Sequence, residues 1–164
     1  MESIDNLLQH VHVPTTRADS AECCRVLEIG CGSSTLARDF FIKYPQHHIV
    51  STDVSNVCIQ NNTERDRSLL ERSQGRFQYQ VLNAIDPTIA PFAENDEIQA
   101  KFDLILDKGC LDTFLFRSQH KVQEQLVTRL LDNVHRWLKP GGTYVILTPR
   151  SKLKLVRDYN GFRK

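Results

Sequence analysis

The stretch VLEIGCGSS, positions 26–34, places an acid, Glu28, two residues before Gly30, with Gly32 just beyond. Glycines so spaced allow a tight turn and let backbone N–H groups approach a ligand where any side chain would block it. A dinucleotide fingerprint needs a third glycine where this chain has Thr35, and a phosphate loop needs a Gly-Lys-Ser/Thr ending that is absent. Glu28 would also repel a pyrophosphate, whereas it would attract an amine. About twenty residues further on stands Asp53, at the end of a second apolar run; an acid there accepts the two hydroxyls of a ribose or caps the helix that follows. Together these residues describe a nucleoside that carries an amino-acid-like or cationic group in place of phosphates.

A second cluster lies in FDLILDKGCLDTF, positions 102–114, where an apolar run empties into Asp107, Lys108 and Gly109, with Asp112 close behind. The C-terminal end of a parallel strand faces the ligand crevice of an open α/β sheet, so Asp107 is placed where ligands meet. Lys108 reads equally well as a solvated ion-pair partner of Asp107. Gly109 reads as a turn residue with positive φ. Cys31 and Cys110 sit beside these motifs, but with no His partner in view they read as small filling residues rather than nucleophiles. His47 and His48 read as surface residues preceding a strand.

The elements that must position these groups alternate between strand-like and helix-like, the pattern of a parallel sheet with crossover helices. Strands are expected at 25–29, 48–52, 77–82, 102–106 and 143–148, with helices at 34–44 and 55–72. Val122, Leu126, Val127, Leu130, Leu131, Val134, Trp137 and Leu138 recur at helical spacing and predict a core-facing helix, which Pro140, Gly141 and Gly142 end. Residues 86–100 read as a surface loop. The fold class is α/β, a Rossmann-like, doubly wound, mostly parallel sheet. Three regions are expected: an extension with a short helix at 1–24, a core at 25–149 and a basic tail at 150–164.

Composition narrows the function classes. The 164 residues suit one domain; 40% are hydrophobic and 25% charged, as in soluble globular proteins. Lys and Arg total 21 against 20 for Asp and Glu, a net charge of +1, so no bulk field draws the chain to nucleic acid or membrane. The five cysteines have no paired spacing, so neither a zinc site nor a disulfide framework is expected. No apolar run reaches the ~20 residues of a membrane span, and the acidic start, with Glu2 and Asp5, is unlike a signal or transit peptide. A cytoplasmic location is expected.

From about Arg25 to Pro149, the chain resembles the class I S-adenosylmethionine-dependent methyltransferases, in which E/D-x-G-x-G opens the cofactor site and an acid after the second strand holds the ribose. DKGCLDTF, with GCGSS, is similar to the lysine methyltransferase branch that includes the enzymes modifying elongation factor 1-alpha and citrate synthase. The resemblance implies that the backbone of Gly30, Cys31 and Gly32 passes along the amino-acid end of S-adenosylmethionine. Glu28 would support its amino group directly or through water, Asp53 would take the ribose hydroxyls, and Val54 would pack on the adenine. Asn83, where the family often has an acid, would with the Ala84 backbone meet the adenine edge. Asp107 would face both cofactor and incoming amine, binding the ammonium or positioning the neutral amine, and Asp112 would orient a cationic substrate from the rim; both are expected as catalytic residues.

The implied function is methyl transfer to a lysine of a protein substrate. The alternatives are a small-molecule methyltransferase and a non-catalytic scaffold that keeps the fold. The family's seven-strand sheet ends in two further strands, and the fifteen residues after Pro149 are too few for them. Strands six and seven are thus expected to be missing or truncated, leaving the fifth as an edge for a second copy or partner to cover.

Overall fold

The computed structural model describes residues 23–89, 102–116, 120–149, 153–159 and 161. Five strands form one sheet: β1 (Arg25–Ile29), β2 (His48–Asp53), β3 (Phe77–Val81), β4 (Phe102–Lys108) and β5 (Leu138–Leu147). Their order is β3-β2-β1-β4-β5, and every pairing is parallel. The order reverses between β2 and β4, which flank β1, and such a switch point opens a crevice at the strands' C-terminal ends.

Six helices occur among the described residues: α1 (Leu36–Lys43), α2 (Asn56–Arg65), α3 (Arg67–Ser73), α4 (Cys110–Leu115), α5 (His120–Trp137) and α6 (Lys154–Arg157). Two apolar cores explain why the sheet is covered on both faces. Ala37, Phe40 and Phe41 of α1, with Leu69 and Leu70 of α3, pack on Val26, Ile49, Leu104 and Leu106. On the opposite face, Leu111 of α4 and the α5 stripe Val127, Leu130, Leu131, Val134 and Trp137 pack on Leu27, Ile29, Val50 and Ile105. The alternation of side chains along each strand separates the two sets.

Four local expectations need correction. The helix expected over 55–72 breaks at Asp66, whose buried carboxylate is held by Arg65, Arg38 and the Tyr79 hydroxyl. Asp66 takes φ −107° and ψ 16°, outside the helical range, between the two helices. β4 extends to Lys108, two residues beyond the expected 102–106, so Asp107 lies within the strand. β5 begins at Leu138, immediately after α5, and Pro140 to Gly142 form an irregularity within it, where the pairing shifts between Phe102 and Leu104. His47 is buried, its Nδ1 accepting from the Cys24 N–H at 3.1 Å, and burial lowers its pKa. His48 is exposed as expected.

β3 and β5 lie at the sheet margins, and strands six and seven are not among the described residues. The 154–157 segment of the expected tail is helical, with Leu155 and Val156 against the α5 core. The expected N-terminal helix and most of the 86–100 loop lie outside the described residues.

Candidate active site

The turn after β1 is built by backbone geometry that only glycine adopts cheaply. Gly30 has φ +63°, and a Cβ there would lie 2.6 Å from Cys110 Cβ and 2.8 Å from its Sγ. The β1 turn and the start of α4 are therefore in close contact. Gly32 has φ +49°, yet a Cβ there would meet nothing within 4 Å, so its outer side is open to whatever approaches from outside. Cys31 N–H donates to the Thr52 carbonyl at 2.8 Å, tying the turn to β2.

Asp53 completes this tie. One carboxylate oxygen accepts from Gly32 N–H and the other from Ser55 N–H, both at 2.8 Å. A carboxylate has about four lone-pair positions, so each oxygen keeps capacity for a hydroxyl. The helix-capping alternative falls instead to Ser55, whose hydroxyl accepts from Cys58 N–H at 3.3 Å. Val54, beside Asp53, is 66% exposed, an apolar side chain unusually open to solvent.

Glu28 lies on the α1 face of β1 and is 1% exposed. One oxygen accepts from the Ser51 hydroxyl at 2.5 Å, while Oε1 has no hydrogen-bond partner among the described residues. Burial raises its pKa to about 7, against the lowering effects of Ser51, Lys108 and the Ala37 amide. An orphaned buried acceptor of this kind costs on the order of 1–3 kcal/mol unless something donates to it.

Asp107 sits one strand away, level with Ile29 across the β1–β4 pairing. It is fully buried, and its carboxylate accepts from Cys110 N–H at 2.8 Å, Leu111 N–H at 3.1 Å and the Tyr144 hydroxyl at 2.7 Å. Burial raises its pKa to about 6, opposed by those donors. Tyr144 is raised well above its usual value, by burial first and by the Asp107 charge second. Gly109, with φ +85°, carries the chain from β4 into α4, as the sequence predicts. Asp107 and Lys108 do not form an ion pair, because alternation sends the exposed Lys108 to the Glu28 face instead. Asp112 is 6% exposed and accepts from the Thr148 hydroxyl at 2.8 Å.

Asn83 accepts from Ile85 N–H at 3.3 Å, and the Ala84 carbonyl accepts from the buried Asn133 amide at 2.9 Å. Burial raises the Cys31 thiol to about 12 and Cys110 further, so both stay protonated, in keeping with a filling role.

Three positioning residues escape a reading of the sequence. Asn62 donates to the Gly32 carbonyl at 2.7 Å and so fixes the glycine turn from α2. Asn133 holds both the Ala84 and Asp86 carbonyls from α5. Tyr144 holds Asp107. Only the tyrosine carried a signal, a hydroxyl next to the aliphatic run Val145 to Leu147 that must find a partner when buried.

The residues present fit a nucleoside with a cationic amino-acid end: a turn open at Gly32, an acid with spare acceptor capacity at Asp53, an exposed apolar Val54 and the orphaned Glu28 oxygen. No group of three or more His, Cys, Asp or Glu side chains suited to a metal occurs among the described residues, and no helix there is long and apolar enough to cross a membrane.

Comparison with known proteins agrees with this geometry. Residues 27–144 match a family model described as a methyltransferase domain. The chain is 33% identical over 125 residues to the eEF1A lysine and N-terminal methyltransferase of Bos taurus, covering 76% of this chain but 16% of that protein. It is 29% identical over 130 residues to malonyl-[acyl-carrier protein] O-methyltransferase 2 of Ilyobacter polytropus, covering 79% of this chain and 41% of that one. Among solved structures, the glycopeptide N-methyltransferase MtfA complexed with (S)-adenosyl-L-methionine superposes with a TM-score of 0.60 at 13% identity, over 87% of this chain and 51% of that chain. The chain thus spans less than half the length of these two relatives, and the solved structure shares its fold. With the match running from β1 into β5, the chain belongs to the methyltransferase domain family.

Proposed function

We propose that this protein binds S-adenosylmethionine at the crevice above β1 and transfers its methyl group to a lysine side chain of a protein substrate. The observation that carries the cofactor reading is the buried Glu28 oxygen without a partner, behind a glycine turn that Asp53 and Asn62 hold in place. Bound there, the cofactor would supply an electrophilic methyl group on a sulfonium. Glu28 accepts from its amino group directly or through a water, the Gly30, Cys31 and Gly32 backbone lines its amino-acid end, Asp53 takes the ribose hydroxyls, and Val54, Asn83 and Ala84 meet the adenine.

Displacement at a methyl carbon needs alignment and exclusion of water more than covalent help from the enzyme. In this reading Asp107 and Asp112 act by position. The Asp107 carboxylate, taken up by α4 amides and Tyr144, holds α4 against Gly30 and so sets the wall along which a lysine enters. Asp112 holds Thr148, at the end of β5, to the same helix. A lysine ammonium, with a reference pKa of about 10.4, must lose its proton before it can attack. The dry, apolar surroundings of Asp107 favour the neutral amine, whereas a free carboxylate would favour the ammonium.

The lysine acceptor is supported by the DKGCLDTF motif and by the bovine relative, an eEF1A lysine and N-terminal methyltransferase. Labelled methyl donor incubated with protein and metabolite fractions tests it. Label is expected on protein, at lysine after hydrolysis. Label confined to metabolites would establish the small-molecule alternative, and cofactor binding without transfer to any fraction the scaffold.

A further inference from the structure

On the face of the sheet away from Asp107, α1 and α3 enclose a surface groove of about 410 Å³. Arg38, Arg65, Arg72 and Arg76 line it, with Asp66 as the only acid among the described lining residues. In a molecule whose net charge is +1, this is a marked local excess of positive charge. Asp66 engages Arg38 at 3.2 Å and Arg65 at 2.7 Å, and it is nearly buried beneath them. Burial raises its pKa, but the donors Arg65 and Tyr79 and the Arg65 and Arg38 charges outweigh that and hold it ionised. Arg72 and Arg76 each spend only Nε on protein, donating to the Ser68 and Ser73 carbonyls at 3.1 Å. Their terminal nitrogens make no further hydrogen bond among the described residues, which leaves two guanidinium forks of the kind that grip carboxylates.

Apart from Ser68, the rest of the lining is apolar: Phe41, Pro45, Leu69 and Ile42, the last 54% exposed. Such a lining suits a ligand that joins anionic groups to a bulky aliphatic side chain. Single-stranded nucleic acid meets half of this description, since its phosphates would suit the arginines. Its bases, however, need a free aromatic face, and Phe41 is buried and stacked on Phe77 at 5.4 Å.

We propose that this groove docks an acidic peptide segment of a protein partner, its Asp or Glu carboxylates on Arg72 and Arg76 and a Leu-like side chain against Ile42 and Leu69. The inference stands apart from methyl transfer, although Arg65 also donates to the Ser33 carbonyl at 3.4 Å and so sets the groove directly behind the glycine turn.

Fluorescence anisotropy of the full chain tests it with a labelled peptide of alternating Glu, Leu and Asp, its Gln/Asn counterpart and a single-stranded RNA of matched length. The acidic peptide is expected to bind, to weaken steeply with salt and to lose at least about tenfold in affinity in the Arg72→Glu/Arg76→Glu double variant. The double variant keeps the parent's melting temperature and its affinity for S-adenosylhomocysteine, which separates a lost groove from a lost fold or cofactor site. Any of three results overturns the proposal: no binding of the acidic peptide to the parent chain, equal binding by the double variant, or tighter binding of the neutral peptide or the RNA.

Discussion

Glu28 and Asp107 occupy the ends of neighbouring parallel strands, and both are buried carboxylates whose pKa burial raises. Their surroundings differ in one respect that separates their roles. Asp107 has donors on both oxygens: two α4 amides and the Tyr144 hydroxyl. Among the described residues, Glu28 has a donor on one oxygen and none on the other. A satisfied buried acid holds structure, while one that lacks a donor costs stability until a ligand provides it. In the proposed reading, two acids that look alike in the sequence thus divide into one that holds α4 in place and one that awaits a donor from the ligand.

The largest effect is expected where the acid is satisfied. Asp107→Ala strands the Cys110 and Leu111 amides and the Tyr144 hydroxyl, and should cost about 3 kcal/mol of stability in urea denaturation. A loss below ~1 kcal/mol would break the contrast from the Asp107 side.

The next effect concerns pH and Glu28. Its folded pKa, about 7, lies above the ordinary value of 4.5. Below the lower value both states hold the proton. As pH rises past it, the unfolded chain releases a proton that the folded chain retains, so the Glu28 contribution to stability falls up to about pH 7 and is flat beyond. Relative to Glu28→Gln, the parent should therefore lose ~2 kcal/mol between pH 5 and pH 8, read from denaturation at each pH. A difference that does not change with pH would show that Glu28 is not held in a dry site.

Ligand binding sharpens the same contrast, since Glu28→Gln should stay folded yet weaken S-adenosylmethionine binding by about tenfold, close to 1.4 kcal/mol. Asn62→Ala removes the donor to the Gly32 carbonyl and should cost about 1 kcal/mol in stability, with a several-fold loss in cofactor affinity. The smallest effect is expected at Lys108. It is exposed and makes no ion pair with Asp107, so Lys108→Ala should change stability by less than ~0.5 kcal/mol.

Much of the frame was legible in the sequence because it rests on local signals. Strand periodicity, the glycine turn and the apolar stripe of α5 each depend on neighbours along the chain, and each appears close to where expected, with β4 and β5 running longer and Leu138 passing from the stripe into β5. The break at Asp66 and the burial of His47 were not legible, because their partners come from elsewhere in the fold: Arg38 lies 28 residues before Asp66, and the Cys24 amide 23 before His47. The site shows the same division. Residue type and spacing mark Glu28, Asp53 and Asp107 as notable, but only tertiary contacts distinguish the acid with a free oxygen from the one with none.

The central claim, that the glycine turn, Asp53 and Glu28 form a site for S-adenosylmethionine, is tested most directly by calorimetric titration of the folded full chain with S-adenosylmethionine and S-adenosylhomocysteine. The account predicts a single saturable site for each ligand, lost in Asp53→Ala and weakened in Glu28→Gln. A folded parent chain that takes up neither ligand, or an Asp53→Ala variant that binds as tightly as the parent, would contradict it.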